Sequence, residues 1–242
     1  MPKLFAIALM LLLNNSFAAA DYAREKKWAD EIVPGIVVGD PVYLEMDTGH
    51  KFLTIYTEAK DAQVGVIVVH GIGVHPDWNM VGTLRTRLAE AGYTTLSVQM
   101  PVLASEAKSE QYDALFAEAA ARLDVAVSFL QSKGYKKIAI VSHSMGSAMS
   151  RLYVKNNSSK LVAWAALGMG HGYDYRDIHT AVLDMYGEND LPSVLDRVTG
   201  RADSLKGNSL SMQIKVPKSD HFYTNHEDEM VSDVKCFLDG FK

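Results

Sequence analysis

Apolar residues along the chain fall into short continuous runs separated by stretches with helical spacing. Val64 to Val69 is one such run, rich in β-branched residues and too short for a helix, so it predicts a strand buried on both faces. Ahead of it, Val42 to Glu45 and Lys51 to Thr57 read as two strands around Asp47-Thr48-Gly49, a hairpin with a turn-forming tip. Tyr22 to Asp30 is polar and predicts a short lead-in helix. Beyond Val69 the pattern alternates. Met80, Val81, Leu84 and Leu88 recur at helical spacing before Gly92, and Thr94 to Gln99 is a strand. Tyr112, Leu115, Phe116, Ala119, Leu123, Val127 and Leu130 mark a long helix ending at Gly134. Lys137 to Val141 is a strand and Met145 to Tyr153 a helix. Leu161 to Leu167, Ala181 to Tyr186 and Leu210 to Val216 are three more strands. Met230, Val231, Val234, Phe237 and Leu238 form one face of a last helix, with Thr224 and Glu227 spaced as a capping box at its start.

Strands alternating with helices of this length predict an α/β domain: a mostly parallel, doubly wound sheet with an antiparallel N-terminal hairpin extending one edge. No repeat, low-complexity tract or long linker interrupts the order, so residues 21–242 read as a single domain.

The first twenty residues follow another logic. Lys3 precedes an uninterrupted apolar run from Leu4 to Leu13, Asn14-Asn15-Ser16 closes it, and Ala18-Ala19-Ala20 offers small side chains to a signal peptidase. The run is half of the roughly 20 residues that a bilayer span needs. Residues 1–20 are therefore expected to be a cleavable signal peptide, cut after Ala18 or Ala20, leaving no stable membrane anchor. Cys236 is the one cysteine, so no intramolecular disulfide forms and no lipid-bearing Cys follows the apolar run. Export without disulfides points to a bacterial periplasm or secretion from a bacterium.

The remaining composition narrows the partners. With 48% hydrophobic and 22% charged residues the chain is an ordinary globular protein. A net charge of -5 and the lack of any Lys/Arg run of five or more argue against nucleic acid. The 8 histidines show no zinc-type spacing such as His-Glu-x-x-His, so neither a metal nor a cofactor is expected.

The chemistry concentrates in Ser142-His143-Ser144-Met145-Gly146, between a buried strand and a helix. A small-x-Ser-x-Gly pattern arises by chance often enough that its context carries the weight. Reversing from strand to helix in so few residues strains the central residue and thrusts its side chain outward, and small neighbours avoid a clash. The helix beginning at Met145 aims free N–H groups at the space above Ser144, so the Met145 N–H can stabilise an oxyanion.

With this turn the chain resembles the α/β-hydrolase superfamily of serine hydrolases, in particular small exported bacterial members, over essentially its whole mature length. The resemblance implies further roles. His70-Gly71-Ile72-Gly73 follows the Val64 to Val69 strand where relatives place an oxyanion loop, which makes the Ile72 N–H the second donor. Tyr186-Gly187-Glu188-Asn189-Asp190 resembles the family's acid turn and makes Asp190 the residue that orients the imidazole. Glu188 is its nearest rival, Asp174 and Asp177 are further ones, and Asp190 could instead merely cap a helix beginning near Pro192. Ser219-Asp220-His221-Phe222 resembles the family's histidine segment and makes His221 the base, with His226 and His171 as competitors. The order Ser144, Asp190, His221 is that of the superfamily.

Gly170 to Thr180 is too short for a cap domain. Pro101 to Gln111 and His75-Pro76-Asp77-Trp78 should rim the site. Trp78 and Met100 could line a substrate pocket or simply pack loops onto the core. The expected activity is hydrolysis of a small-molecule carboxylic ester through an acyl-enzyme. Action on thioesters, lactones or peptides, or a non-catalytic role as an envelope binding protein, stays open.

Overall fold

The computed structural model describes residues 20–170 and 172–242; the expected signal segment up to Ala19, and His171, lie outside the described residues. Eight strands form one sheet: β1 (Asp40–Glu45), β2 (Lys51–Thr57), β3 (Val64–Val69), β4 (Thr94–Val98), β5 (Lys137–His143), β6 (Ala163–Leu167), β7 (Ala181–Asn189) and β8 (Met212–Asp220). Their order is β1-β2-β4-β3-β5-β6-β7-β8. β1 and β2 pair as an antiparallel hairpin, β2 runs antiparallel to β4, and all other pairs are parallel.

The helices are α1 (Tyr22–Ile32), α2 (Asn79–Glu90), α3 (Phe116–Ser132), α4 (Met145–Asn156), the short α5 (Pro192–Leu195), α6 (Val198–Leu205) and α7 (Glu227–Asp239). The continuous apolar character of β3 has a direct cause. Val64, Val66 and Val68 point into a layer shared with Leu84 and Leu88 of α2 and Val234 and Phe237 of α7. Ile67 and Val69 point into the opposite layer, with Leu123 and Val127 of α3 and Met149 of α4. A strand covered on both sides has no use for alternation.

Element by element, the expected hairpin, strands and main helices are present with shifted ends. Residues Ser109–Leu115 form a 3-10 turn leading into α3, so the long helix starts later than its apolar pattern suggests. The capping box at Thr224 and Glu227 does not form. His226 takes the cap position of α7 without a side-chain hydrogen bond, and the Thr224 N–H donates instead to Asp220 Oδ1 at 3.0 Å. Tyr223 and Asn225, at φ 56° and 60°, curl the intervening loop too tightly for Thr224 to cap.

α1 lies outside the sheet and straps two loops. Asp21 caps it by accepting from the Arg24 N–H at 2.9 Å. The Arg24 guanidinium then donates to the Leu103 carbonyl at 2.6 Å and the Gly73 carbonyl at 3.3 Å. Glu25, buried, takes both Arg122 Nη atoms from α3, at 2.9 and 3.0 Å. Between β6 and β7, residues 168–180 carry no helix among those described, so no helical cap is inserted there.

Candidate active site

After β3 the chain moves to β4 on one side, then crosses back to β5 on the other. That reversal leaves a crevice at the carboxyl ends of β3 and β5, the place where open α/β sheets bind ligands. His70-Gly71-Ile72 leaves β3 there, and Ser144 leaves β5. Ser144 has φ 55° and ψ -125°, outside the regions open to an ordinary L-residue. The turn holds through the Ser144 N–H donating to the Leu167 carbonyl at 2.8 Å and through the close stacking of α4 on β3. A Cβ on Gly146 would stand 2.2 Å from the His70 carbonyl oxygen, so only glycine allows that approach.

β7 and β8 deliver the other two groups side by side. Asn189 pairs with Asp220 in parallel register, so the next residues, Asp190 and His221, leave adjacent strand ends together. His221 Nδ1 and Asp190 Oδ1 are 2.6 Å apart, and His221 Nε2 lies 2.9 Å from Ser144 Oγ. Asp190 is fixed by two further donors, the Gly187 N–H at 3.1 Å and the Leu191 N–H at 2.7 Å. To reach Ser144 the imidazole passes over the end of β6, where Gly168 stands. A Cβ on Gly168 would come within 2.9 Å of His221 Cε1.

The rival acids and base lie elsewhere. Glu188 is engaged by Lys215 and the Lys218 N–H, Asp177 by Arg151 and Lys155, and Asp174 by Arg176. His226 faces Glu229 at the start of α7.

Two histidines without an assigned role in the motif hold the site in place. Burial pushes His143 down to about 4, and the neighbouring His221 acts in the same direction. The neutral His143 ring donates from Nε2 to the His221 carbonyl at 2.8 Å, tying the Ser144 turn to the loop that carries His221. Burial likewise lowers His70 to about 3. Its Nδ1 donates to the Gly71 carbonyl at 2.8 Å, and its Nε2 accepts from the Met100 N–H at 2.9 Å, bracing the oxyanion-side loop against the end of β4. No sequence signal separates these rings from exposed ones; burial does.

The two expected oxyanion donors flank Ser144. Met145 opens α4, where the first N–H groups have no helical acceptor. Ile72 follows Gly71, whose Cβ, if present, would sit 3.3 Å from Ser144 Cβ, so this backbone runs against Ser144. A cavity of about 220 Å³ holds Ser144, His221, Trp78 and Phe222 in its walls, and a second of about 170 Å³ holds Ser144, His221, Met145 and Ser193. Trp78 thus lines the site, meeting Phe222 edge to face at 5.6 Å between ring centres. Met100 does not. It is fully buried in the apolar layer on the α3 side, because the chain leaving β4 turns that side chain inward. Among the described residues, no three His, Cys, Asp or Glu side chains are grouped to hold a metal ion.

A family model described as "Protein of unknown function (DUF3530)" matches residues 40–121. No curated protein matches the chain. Solved structures do. XC6422 from Xanthomonas campestris, described as an a/b serine hydrolase without lid, is 13% identical over 85% of this chain and 96% of its own, with a TM-score of 0.67. A dienelactone hydrolase from Anabaena variabilis is 15% identical over 83% and 96%, with a TM-score of 0.69. Est1E from Butyrivibrio proteoclasticus is 15% identical over 83% and 97%, with a TM-score of 0.66. The strand order, the position of the crevice and these superpositions lead to one conclusion: the chain has the α/β-hydrolase fold, with no cap domain among the described residues.

Proposed function

We propose that this protein is a serine hydrolase that cleaves carboxylic esters, with Ser144 as nucleophile, His221 as base and then acid, and Asp190 holding the imidazole. The observation that carries the reading is the unbroken contact from Asp190 through His221 to Ser144 Oγ, on a strained turn at the mouth of the crevice. Asp190 keeps the proton on Nδ1, which leaves Nε2 free to accept the Ser144 proton. As Oγ bonds to the ester carbon, the carbonyl oxygen gains charge that the Ile72 and Met145 N–H groups would hold. The C–O bond to the alcohol then breaks, and the departing oxygen takes the proton from His221. Water, deprotonated by the same imidazole, frees the acid and restores Ser144. Neither metal nor cofactor takes part in this scheme.

The solved neighbours include an a/b serine hydrolase and a dienelactone hydrolase, which favours hydrolysis over a silent binding role. A side chain held in strain with its base 2.9 Å away favours it too. Labelling with a fluorophosphonate tests the reading. Wild-type protein should react, and Ser144→Ala should not. Equal labelling of both would remove Ser144 from the chemistry.

We further propose, from the pattern of Lys3, the apolar run Leu4 to Leu13 and Ala18 to Ala20, that the protein is exported from a bacterial cytoplasm and cut free of its first residues. Ala20 is buried in the core at 7% exposure, which favours cleavage after Ala18 over cleavage after Ala20. N-terminal sequencing of protein recovered from a periplasmic extract should begin at Ala19; retention of Met1 would exclude processing.

A further inference from the structure

The two cavities at Ser144 share four walls, Ile72, Ser144, Leu191 and His221, and diverge from there. One continues between Val74, Trp78 and Phe222 and is almost wholly apolar. The other continues past Ser109, Gly170 and Ser193, where hydroxyls and bare backbone replace the rings. An ester carbonyl within reach of Ser144 would lie where they meet, with one side of the ester in each arm. We propose that the substrate is an uncharged ester with two short arms: a compact apolar group seated against Trp78 and Phe222, and a small, polar-tolerant group against Ser109 and Ser193. This rests on the serine-hydrolase reading above.

Two properties of the walls set these limits. The first is charge. Among the described residues no Asp, Glu, Lys or Arg lines either arm. A carboxylate or ammonium entering one of them leaves water without a partner, which is the expensive way to bury a charge. The second is size. At about 220 and 170 Å³, each arm falls below the 300 Å³ or so at which pockets for drug-sized ligands begin. A benzoyl ring or a butyryl chain fits within such an arm, whereas a dodecanoyl chain has to leave it. Ile72, Leu191 and Phe222 are 37%, 46% and 42% exposed at the rim, an unusual state for large apolar side chains around a polar centre. Covering them favours an apolar substrate further.

The test is kcat/KM for para-nitrophenyl acetate, butyrate, benzoate, hemisuccinate and dodecanoate, run beside fluorophosphonate labelling of the same preparation. The expected result is a labelled enzyme that prefers butyrate or benzoate, with the anionic hemisuccinate down by about a hundredfold or more. Trp78→Ala should move the chain-length optimum upward, with about a tenfold change in the ratio of long to short esters. Phe222→Ala should act in the same direction and, being exposed, serves if Trp78→Ala fails to fold. A labelled enzyme that takes hemisuccinate or dodecanoate as fast as butyrate would overturn the substrate inference and leave Ser144 as nucleophile. An enzyme that neither labels nor hydrolyses any ester overturns both.

Discussion

At the scale of the residue, the site depends on two imidazoles that never carry charge at neutral pH. His143 and His70 are held to about 4 and about 3 by burial, against an ordinary 6.5. Their folded values lie below the unfolded one, so as acid is added the unfolded chain takes up protons that the folded chain refuses. Stability is full above about pH 6.5 and falls as the pH drops through the window towards 4, each ring contributing a slope of up to about 1.4 kcal/mol per pH unit. His143→Gln keeps a donor for the His221 carbonyl and removes the titration. Its thermal midpoint should therefore fall less steeply between pH 6.5 and 4 than that of wild type. Parallel slopes would mean that His143 is not the group responsible. That Ser144, Asp190 and His221 would meet was legible in the sequence, since each follows a recognisable strand and the structure brings the three side chains into contact. The supporting pair was not, because a buried His and an exposed one look alike until the neighbours are known.

At the scale of the element, the decisive contact is between the first turn of α4 and the end of β3. Alanine in place of glycine inside a helix ordinarily stabilises by about 1 kcal/mol. Gly146→Ala should do the reverse, because its Cβ would press on the His70 carbonyl oxygen and, at 2.9 Å, on Val69 Cγ1. Neither neighbour swings aside easily, so a loss of about 3 kcal/mol is expected in urea unfolding. Activity should fall with it, since α4 carries the Met145 N–H. A neutral or stabilising result would show that the helix start can shift freely. Buried strands such as β3 announced themselves as apolar runs, and helices as spaced apolar residues. Helix ends did not, as Thr224 shows: its spacing suited a cap, but the tight loop through Tyr223 gave its N–H to Asp220. Met100 shows the same limit, because a strand-end position says which loop a residue joins and not which way its side chain turns.

At the scale of the whole molecule, the sheet does not finish the site by itself. α1 reaches across the strand ends, with Arg24 bridging the loops after β3 and β4 and Glu25 sunk against Arg122, 97 residues away in the chain. Burial raises the Glu25 carboxyl above its ordinary value, and Arg122 offsets only part of that rise. Arg122→Met should strip the partner from that carboxylate and cost about 3–5 kcal/mol. Glu25→Gln combined with Arg122→Met should recover much of the loss, which a double-mutant cycle by chemical denaturation would read directly. Simple additivity of the two substitutions would show that the pair is not coupled. The polar pattern of Tyr22 to Asp30 predicted a helix but nothing of its docking. A buried acid on a polar helix is visible only once its distant partner is in place.

The dihedral angles of Ser144 carry a last consequence. A backbone at φ 55° is uncomfortable for serine and natural for glycine. Ser144→Gly should therefore unfold at a higher temperature than wild type, by the equivalent of about 1 kcal/mol, while losing the hydroxyl. Folding alone would favour the exchange in every generation. The hydroxyl is thus held at a cost to folding, a cost that the proposed role of Ser144 as nucleophile would account for.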